Sequence, residues 1–203
     1  MRKFLTMTMT AALLASAQQA FAEPPAPDAK ALITPAVLDA AREFINTDIV
    51  RISIEAQNDR FKKLSPEKIN ELDEKWKAER KSDDQPLIAA TLASPLSVYL
   101  SRVQGRNLGL LAEIFVMDQN GLNVGQSSIT SDFWQGDEAK FQKTYDVGPD
   151  AVFIDDPEWD EDFKIWRCQA NLTVNAADGK TKIGAVTLEY NLTELQRRAG
   201  AGT

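Results

Sequence analysis

Residues 110–127 read Leu110-Leu-Ala-Glu-Ile-Phe-Val-Met-Asp-Gln-Asn-Gly-Leu-Asn-Val-Gly-Gln-Ser127. Up to Met117 the run is apolar, aromatic and β-branched, the composition that fits a pleated, half-buried surface. Asp118-Gln-Asn-Gly121 follows, and its Asn-Gly dipeptide tolerates the positive φ angles of a tight hairpin turn. Residues 122–127 then return as the partner strand. The stretch predicts a β-hairpin, and it marks a change of period along the chain. Before it, apolar residues recur at helical spacing; after it, mostly at strand spacing.

Upstream, Thr34-Pro35 supplies an N-cap and a first-turn proline. Leu38, Ala41, Ile45, Ile49, Ile52 and Ala56 follow at spacings of three and four, which predicts one long helix from Pro35 to about Lys63. Its apolar stripe can pack on the chain's own sheet or pair with a copy of itself, so homodimerisation through this helix stays open. Ser65-Pro66 opens a second helix carrying Ile69, Leu72 and Trp76 and ending near Arg80. A short helix over 86–93 and another from Ser94-Pro95 to Gly105 complete the helical part.

Downstream, residues 134–145 suggest a short helical crossover, and Gly148-Pro149 breaks it. Residues 151–154, 163–174 and 182–190 read as strands, with an acidic turn over 155–162 and Asp178-Gly179 in the last turn; a short terminal helix or tail spans 193–198. The expected architecture is α+β, with a long N-terminal helix and further helices packed on five antiparallel strands. One domain spans 34–198: a helical part over 34–106 and a sheet part over 107–192. Residues 23–33 are rich in Pro and Ala and are expected to be disordered.

Composition narrows the function. The chain has 203 residues, 43% of them hydrophobic, 30 acidic against 23 basic side chains, no histidine and one cysteine. The acidic balance argues against nucleic-acid binding, which relies on Lys and Arg. Without histidine, Ser-His-Asp and Cys-His catalysis and nearly all zinc sites are excluded. A lone cysteine forms no intrachain disulfide. The expectation is a non-enzymatic binding protein with no cofactor. Paired carboxylates of the glycosidase kind are the one catalytic alternative, and no spacing supports them.

The first 22 residues have the form of a secretory signal peptide: Arg2 and Lys3, a largely apolar run from Phe4 to Ala17, and Ala20-Phe21-Ala22 as a cleavage site before Glu23. Cleavage would take the formal charge from −7 to −9 by removing Arg2 and Lys3. The alternative, an N-terminal membrane anchor, has an apolar run that is short and interrupted by threonine. A periplasmic or extracellular location is expected.

The element order and several strings resemble the single Cache family of extracellular PAS-like sensor domains. The strings are Ala112-Glu-Ile-Phe-Val-Met-Asp-Gln-Asn-Gly121, Leu122-Asn-Val-Gly-Gln-Ser127, Ser131-Asp-Phe-Trp-Gln-Gly-Asp-Glu138 and Ile183-Gly-Ala-Val-Thr187. The resemblance implies a sheet in the order 2-1-5-4-3 and a small-molecule pocket between that sheet and the segment linking strands 2 and 3. It implies as partners a small metabolite and a membrane receptor or signalling protein. Most Cache domains sit between membrane spans; here no span is expected to survive cleavage and nothing follows Thr203, so a signal is expected to leave through a partner protein. A ligand-free interaction module is the alternative. Amino-acid-binding relatives resemble one another in an Arg-x-Trp-Tyr stretch, and here residues 131–135 lack that arginine. An amino acid held by its carboxylate is therefore not indicated.

Three constellations are candidate sites. Asp132, Phe133, Trp134, Asp137 and Glu138 could form an aromatic and acidic pocket for a cationic or polyhydroxylated ligand. Equally, Phe133 and Trp134 could pin the segment to the sheet while Asp132 caps it. In the strand from Phe163 to Asn171, Trp166, Cys168 and Ala170 share one face and Ile165, Arg167 and Gln169 the other. Trp166 and Arg167 are ligand candidates, Arg167 if its face is the inner one, and Cys168 reads as a small buried hydrophobe. The third is Asp155, Asp156, Glu158, Asp160, Glu161 and Asp162, which could bind Ca²⁺ or form a solvated turn.

Overall fold

Four helices start with proline in the first turn, and three of those carry a Ser or Thr cap whose hydroxyl accepts a backbone N–H, as the sequence signals require. The computed structural model describes residues 23–62 and 64–201; the expected signal peptide lies outside the described residues. The elements run α1 (Ala29–Leu32), α2 (Pro35–Ile45), α3 (Asp48–Phe61), α4 (Pro66–Glu79), α5 (Pro86–Leu92), α6 (Pro95–Arg106), β1 (Leu111–Met117), β2 (Asn123–Gln126), α7 (Ala139–Gln142), β3 (Val152–Ile154), β4 (Glu158–Asp160), β5 (Ile165–Asn175), β6 (Lys182–Asn191) and α8 (Leu192–Ala201).

All strand pairings are antiparallel, and the order is β2-β1-β6-β5-β3, with β4 also on β5. β3 meets the stretch Ala170–Leu172 and β4 meets Ile165–Arg167, so the two share one edge in tandem. With β3 and β4 counted as one interrupted strand, the order is the 2-1-5-4-3 arrangement of the Cache-type sheet. The fold class is the expected α+β. The extra strand falls inside the expected acidic turn: Trp159 lies against Trp166, with ring centroids 5.5 Å apart, and draws its neighbours onto the ladder.

The expected single helix over 35–63 is two helices. Asn46 (ψ 49°) and Thr47 (φ −111°, ψ 156°) leave the helical region, and the Thr47 hydroxyl donates back to the Phe44 carbonyl. Asn, Thr and Asp compete with helix through such local bonds, and here they prevail over the apolar period. The stripe is therefore divided. Leu38, Ala41 and Ile45 are buried as expected, but beyond the break the core takes Val50 and Ile54, while Ile52 is 63% exposed. Residues 28–33 also depart from expected disorder. The Asp28 carboxylate caps α1, and Ala29 and Ile33 are buried in the main core.

The sheet has two distinct faces. Ile114 and Val116 of β1, Cys168, Ala170 and Leu172 of β5, and Val186 and Leu188 of β6 pack against the helices in the main core. The other face is covered in part by the crossover, residues 127–151. There Phe115, Met117 and Ala185 pack with Phe141, and Phe141 stacks on Tyr145 at 5.0 Å. A third cluster, Trp76, Ile88, Leu122 and Phe133, joins α4 and α5 to the start of the crossover.

Candidate ligand-binding site

Strand alternation places Arg167 and Gln169 of β5 and Glu189 of β6 on the crossover side; Gln169 and Glu189 are direct cross-strand partners. Beyond the apolar patch around Phe141, this face opens into a cavity of about 240 Å³. Its floor holds Arg167, Gln169 and Glu189. Glu138 and Lys140 come from the crossover, and Asp155, Asp156 and Glu158 from the link that carries β4.

The two cations are already compensated. Arg167 Nη2 pairs with Asp160 Oδ2 at 2.7 Å and Nη1 with Glu189 Oε2 at 3.0 Å. Lys140 Nζ pairs with Glu138 Oε2 at 2.9 Å, donates to Gln135 Oε1 at 3.2 Å and stands 5.3 Å from the Phe115 ring centroid. Among the described residues Asp155, Asp156 and Glu158 form no ion pair. Five carboxylates thus line the cavity against two cations. Burial pushes the Glu189 carboxyl above its ordinary range, with Arg167 opposing the shift and Glu113 adding to it. Burial likewise raises Glu113, whose Oε1 accepts from Ser128 Oγ at 3.0 Å. Asp160 is held low, first by the backbone N–H of Phe163 and also by Arg167.

The expected site residues separate. Arg167 and Glu138 line the cavity; Asp132, Phe133, Trp134, Asp137 and Trp166 do not. Phe133 is buried and stacks on Trp76 with centroids 5.3 Å apart. The backbone N–H groups of Phe133 and Trp134 donate to Asp73 Oδ1 at 2.9 and 3.0 Å, and Trp134 Nε1 donates to the Asn120 carbonyl at 2.8 Å. Asp132 Oδ1 lies 3.3 Å from Lys77 Nζ, and Asp137 is exposed. The segment is a pin between α4 and the β1–β2 turn, as the packing alternative describes. Leu122 and Trp134 form a β-bridge here, and only 139–142 of the expected helical crossover is helical. Gly136 makes room for the Trp134 indole: a Cβ there would come 2.4 Å from Nε1.

Trp166 lies on the opposite face from Arg167, buried in the main core. Cys168 is buried too, and its Sγ donates to the Asp155 carbonyl at 3.1 Å. Burial and the nearby carboxylates of Asp155, Asp156 and Glu189 push its thiol up to about 12, so it is inert rather than nucleophilic. In the acidic turn, Asp160 is committed to Arg167 and Glu161 to Lys164. Among the described residues no group of three or more acidic or sulfur side chains is arranged to hold a metal ion. Sequence reading passed over Lys140 and Glu189. A signal for Glu189 existed, since it is the one charge within the otherwise uncharged run from Ile183 to Tyr190.

No protein-family model and no curated protein matches the chain. Solved structures do. The ligand-binding domain of the Pseudomonas aeruginosa PAO1 amino acid chemoreceptor PctC in complex with GABA is 13% identical, with a TM-score of 0.36, over 79% of this chain and 62% of that one. The V. cholerae histidine kinase DctB sensor domain is 14% identical with a TM-score of 0.37, over 80% of this chain and 58% of that one. The E. coli DcuS sensor domain is 18% identical with a TM-score of 0.37, over 64% of this chain and 96% of that one. The chain spans about three fifths of the length of the first two. Among the described residues no helix is long and apolar enough to cross a membrane.

Proposed function

We propose that the chain is an exported sensor or binding protein without catalytic activity. In this reading it takes a small, positively charged molecule into the cavity between the β1–β6–β5 face and the crossover, and passes the occupied state to a membrane receptor or signalling protein. The observation that carries the reading is the charge balance of that cavity. Arg167 and Lys140 are each satisfied by protein carboxylates, while Asp155, Asp156 and Glu158 have no cationic partner among the described residues. Asp155 is half-buried, Asp156 and Glu158 stand exposed at the cavity mouth, and an ammonium group supplies the charged hydrogen-bond donor that such carboxylates lack. The volume suits a metabolite rather than a polymer. The leader-like residues 1–22 support export, and mass analysis of the exported protein, expected to begin at Glu23, tests that part.

A thermal-shift screen of mono- and diamines, quaternary ammonium compounds, amino acids, carboxylates and sugars tests the ligand. A ligand at about a hundred times its dissociation constant adds roughly 2.7 kcal/mol. Stabilisation by amines, weakened in Asp155→Asn and Glu158→Gln, is the expected result. Stabilisation by carboxylates alone, or by nothing in the screen, overturns the cationic ligand. A ligand-free interaction module is the second reading, favoured by Phe163, which stands 76% exposed on the turn that Asp160 fixes. Capture of a receptor that is insensitive to every small molecule and lost in Phe163→Ser would select it.

A further inference from the structure

A second cavity, of about 450 Å³, lies further along β5, at its C-terminal end, and shares no residue with the first. The break between α2 and α3 creates one wall. Arg42 lies in the last turn of α2 and Arg51 in the first turns of α3, and both side chains line the cavity. An unbroken helix would carry positions nine apart half a turn out of phase; the bend at Asn46-Thr47 brings them to one space. The facing wall is Thr173 and Asn175 of β5, the β5–β6 turn and residues 149–151.

The polar groups of this cavity are unevenly satisfied. Among the described residues Arg42 and Arg51 pair only with Asp39 and Asp48, three residues back on their own helices, whose side chains are 70% and 83% exposed. Such exposed pairs contribute little and yield to a better acceptor. Thr173 Oγ1 is committed to the Gly148 carbonyl at 2.7 Å, and Asn175 Nδ2 to the Pro149 carbonyl at 3.0 Å. Asn175 Oδ1 is buried and has no donor among the described residues. The cavity therefore offers two guanidiniums, the geometry that matches a phosphate or carboxylate in two-pronged fashion, and one buried acceptor that lacks a hydroxyl or N–H. Asp150 is the one carboxylate among its lining residues.

We infer that the α2–α3 break and the β5–β6 turn form a second ligand site, for a phosphate group that carries a neighbouring hydroxyl. Arg42 and Arg51 take the phosphate oxygens, and Asn175 Oδ1 accepts from the hydroxyl. The site does not depend on the cationic ligand proposed above.

Thermal-shift and calorimetric titration of the purified chain test it, with glycerol phosphate, ethyl phosphate and inorganic phosphate as probes and chloride at matched ionic strength as control. Saturable stabilisation by glycerol phosphate is expected, weakened at least about tenfold in Arg42→Gln and in Arg51→Gln and unchanged in Arg167→Gln. Weaker binding of ethyl phosphate, which lacks the hydroxyl, supports the role of Asn175. Inorganic phosphate binding as tightly as glycerol phosphate overturns the hydroxyl contact assigned to Asn175 and supports the arginine pair as a site for the free ion. Stabilisation no greater than chloride gives, or binding undiminished in both arginine variants, overturns the proposal. Circular dichroism of the variants shows that each remains folded.

Discussion

Glu113 and Glu189 stand directly opposite each other on β1 and β6, two carboxylates side by side beneath the crossover. Ser128 donates to one and Arg167 to the other. Like charges directly across a sheet repel, and both groups are also partly withdrawn from water. Withdrawal from water is the main cause that raises both carboxyls above the ordinary glutamate range, and Glu113 adds to the shift of Glu189. Glu189 lies in the floor of the proposed cavity, and Glu113 stands beside it on β1, outside the cavity lining.

The sign of the effect follows from linkage. A carboxylate whose folded pKa lies above its unfolded value contributes stability that is fully present below the unfolded value and lost as pH rises through the folded one. Glu113 should therefore cost stability at neutral and alkaline pH and cease to do so on acidification towards the ordinary value of 4.5. Glu113→Gln keeps an acceptor for Ser128 without the charge. It is expected to be more stable than the parent in urea denaturation above neutrality, with the advantage vanishing as pH falls to the glutamate range. A constant difference across pH would refute this assignment. Asp178 and Glu194 act in the opposite sense. Hydrogen bonds from Thr181 hold Asp178 at about 2, and Arg197 and Arg198 hold Glu194 there. The stability they supply above the ordinary carboxylate range is lost as pH falls towards about 2, so the parent should be most stable in mildly acidic solution.

Arg167 joins β4 to β6 by bridging Asp160 and Glu189. Arg167→Met retains the stem and removes the charge, leaving two carboxylates with exposures of 6% and 12% uncompensated. A loss of about 1–3 kcal/mol is expected, the lower part of the range for a broken pair because the arginine is itself partly exposed. The loss should shrink on acidification as Glu189 takes up a proton. A pH-independent loss would mean that the stem's packing, and not the ion pairs, is what matters.

The parts of the fold governed by local chemistry were legible. Pro and Ser/Thr starts located α2, α4 and α6, and Asn120-Gly121 located the β1–β2 turn. Gly121 has φ of 78° and lies so close to Gly136 that no Cβ fits. What was not legible depends on partners remote in sequence. The local signal of Asn46-Thr47-Asp48 runs against an apolar period that the core buries fully only as far as Ile45, with Ile49 half-buried against it. Trp159 joined a strand because Trp166 was waiting across the ladder. For the site, alternation along β5 separated Arg167 from Trp166 correctly, yet only the fold decides which face lies under the crossover. The aromatic pair Phe133-Trp134 looked like a binding cluster because its packing partner, Trp76, lies more than fifty residues earlier.

That packing can be measured. Trp76 is fully buried, stacks on Phe133 and donates from Nε1 to the Thr130 carbonyl at 3.0 Å. Phe133→Ala removes the ring from a buried cluster and is expected to cost about 3–5 kcal/mol. If the segment is the pin described here, Phe133→Ala should also raise amide exchange across 130–135 well above that of β5. Loss of ligand binding in a variant that keeps parental stability and exchange would restore Phe133 to the binding site.

The last prediction concerns Gly184, in the Ile183-Gly-Ala-Val string. A Cβ at this position would lie 2.1 Å from the Met117 carbonyl oxygen and 3.2 Å from Ile54 Cγ2. Gly184 has no such φ restriction, so the requirement is one of space: β6 passes under α3 where β1 ends in an irregular register at Val116/Met117. The obstructing atom belongs to backbone, which cannot swing aside as a side-chain tip can. Gly184→Ala should therefore exceed the usual overpacking cost of about 1–3 kcal/mol. Gly179→Ala, in the exposed β5–β6 turn with open space around it but φ of 70°, should cost only about 1–2 kcal/mol of backbone strain. Denaturant midpoints of the two variants separate steric exclusion from conformational strain. Equal losses would show that β6 can shift away from β1 at this point and that the close approach is not enforced by the core.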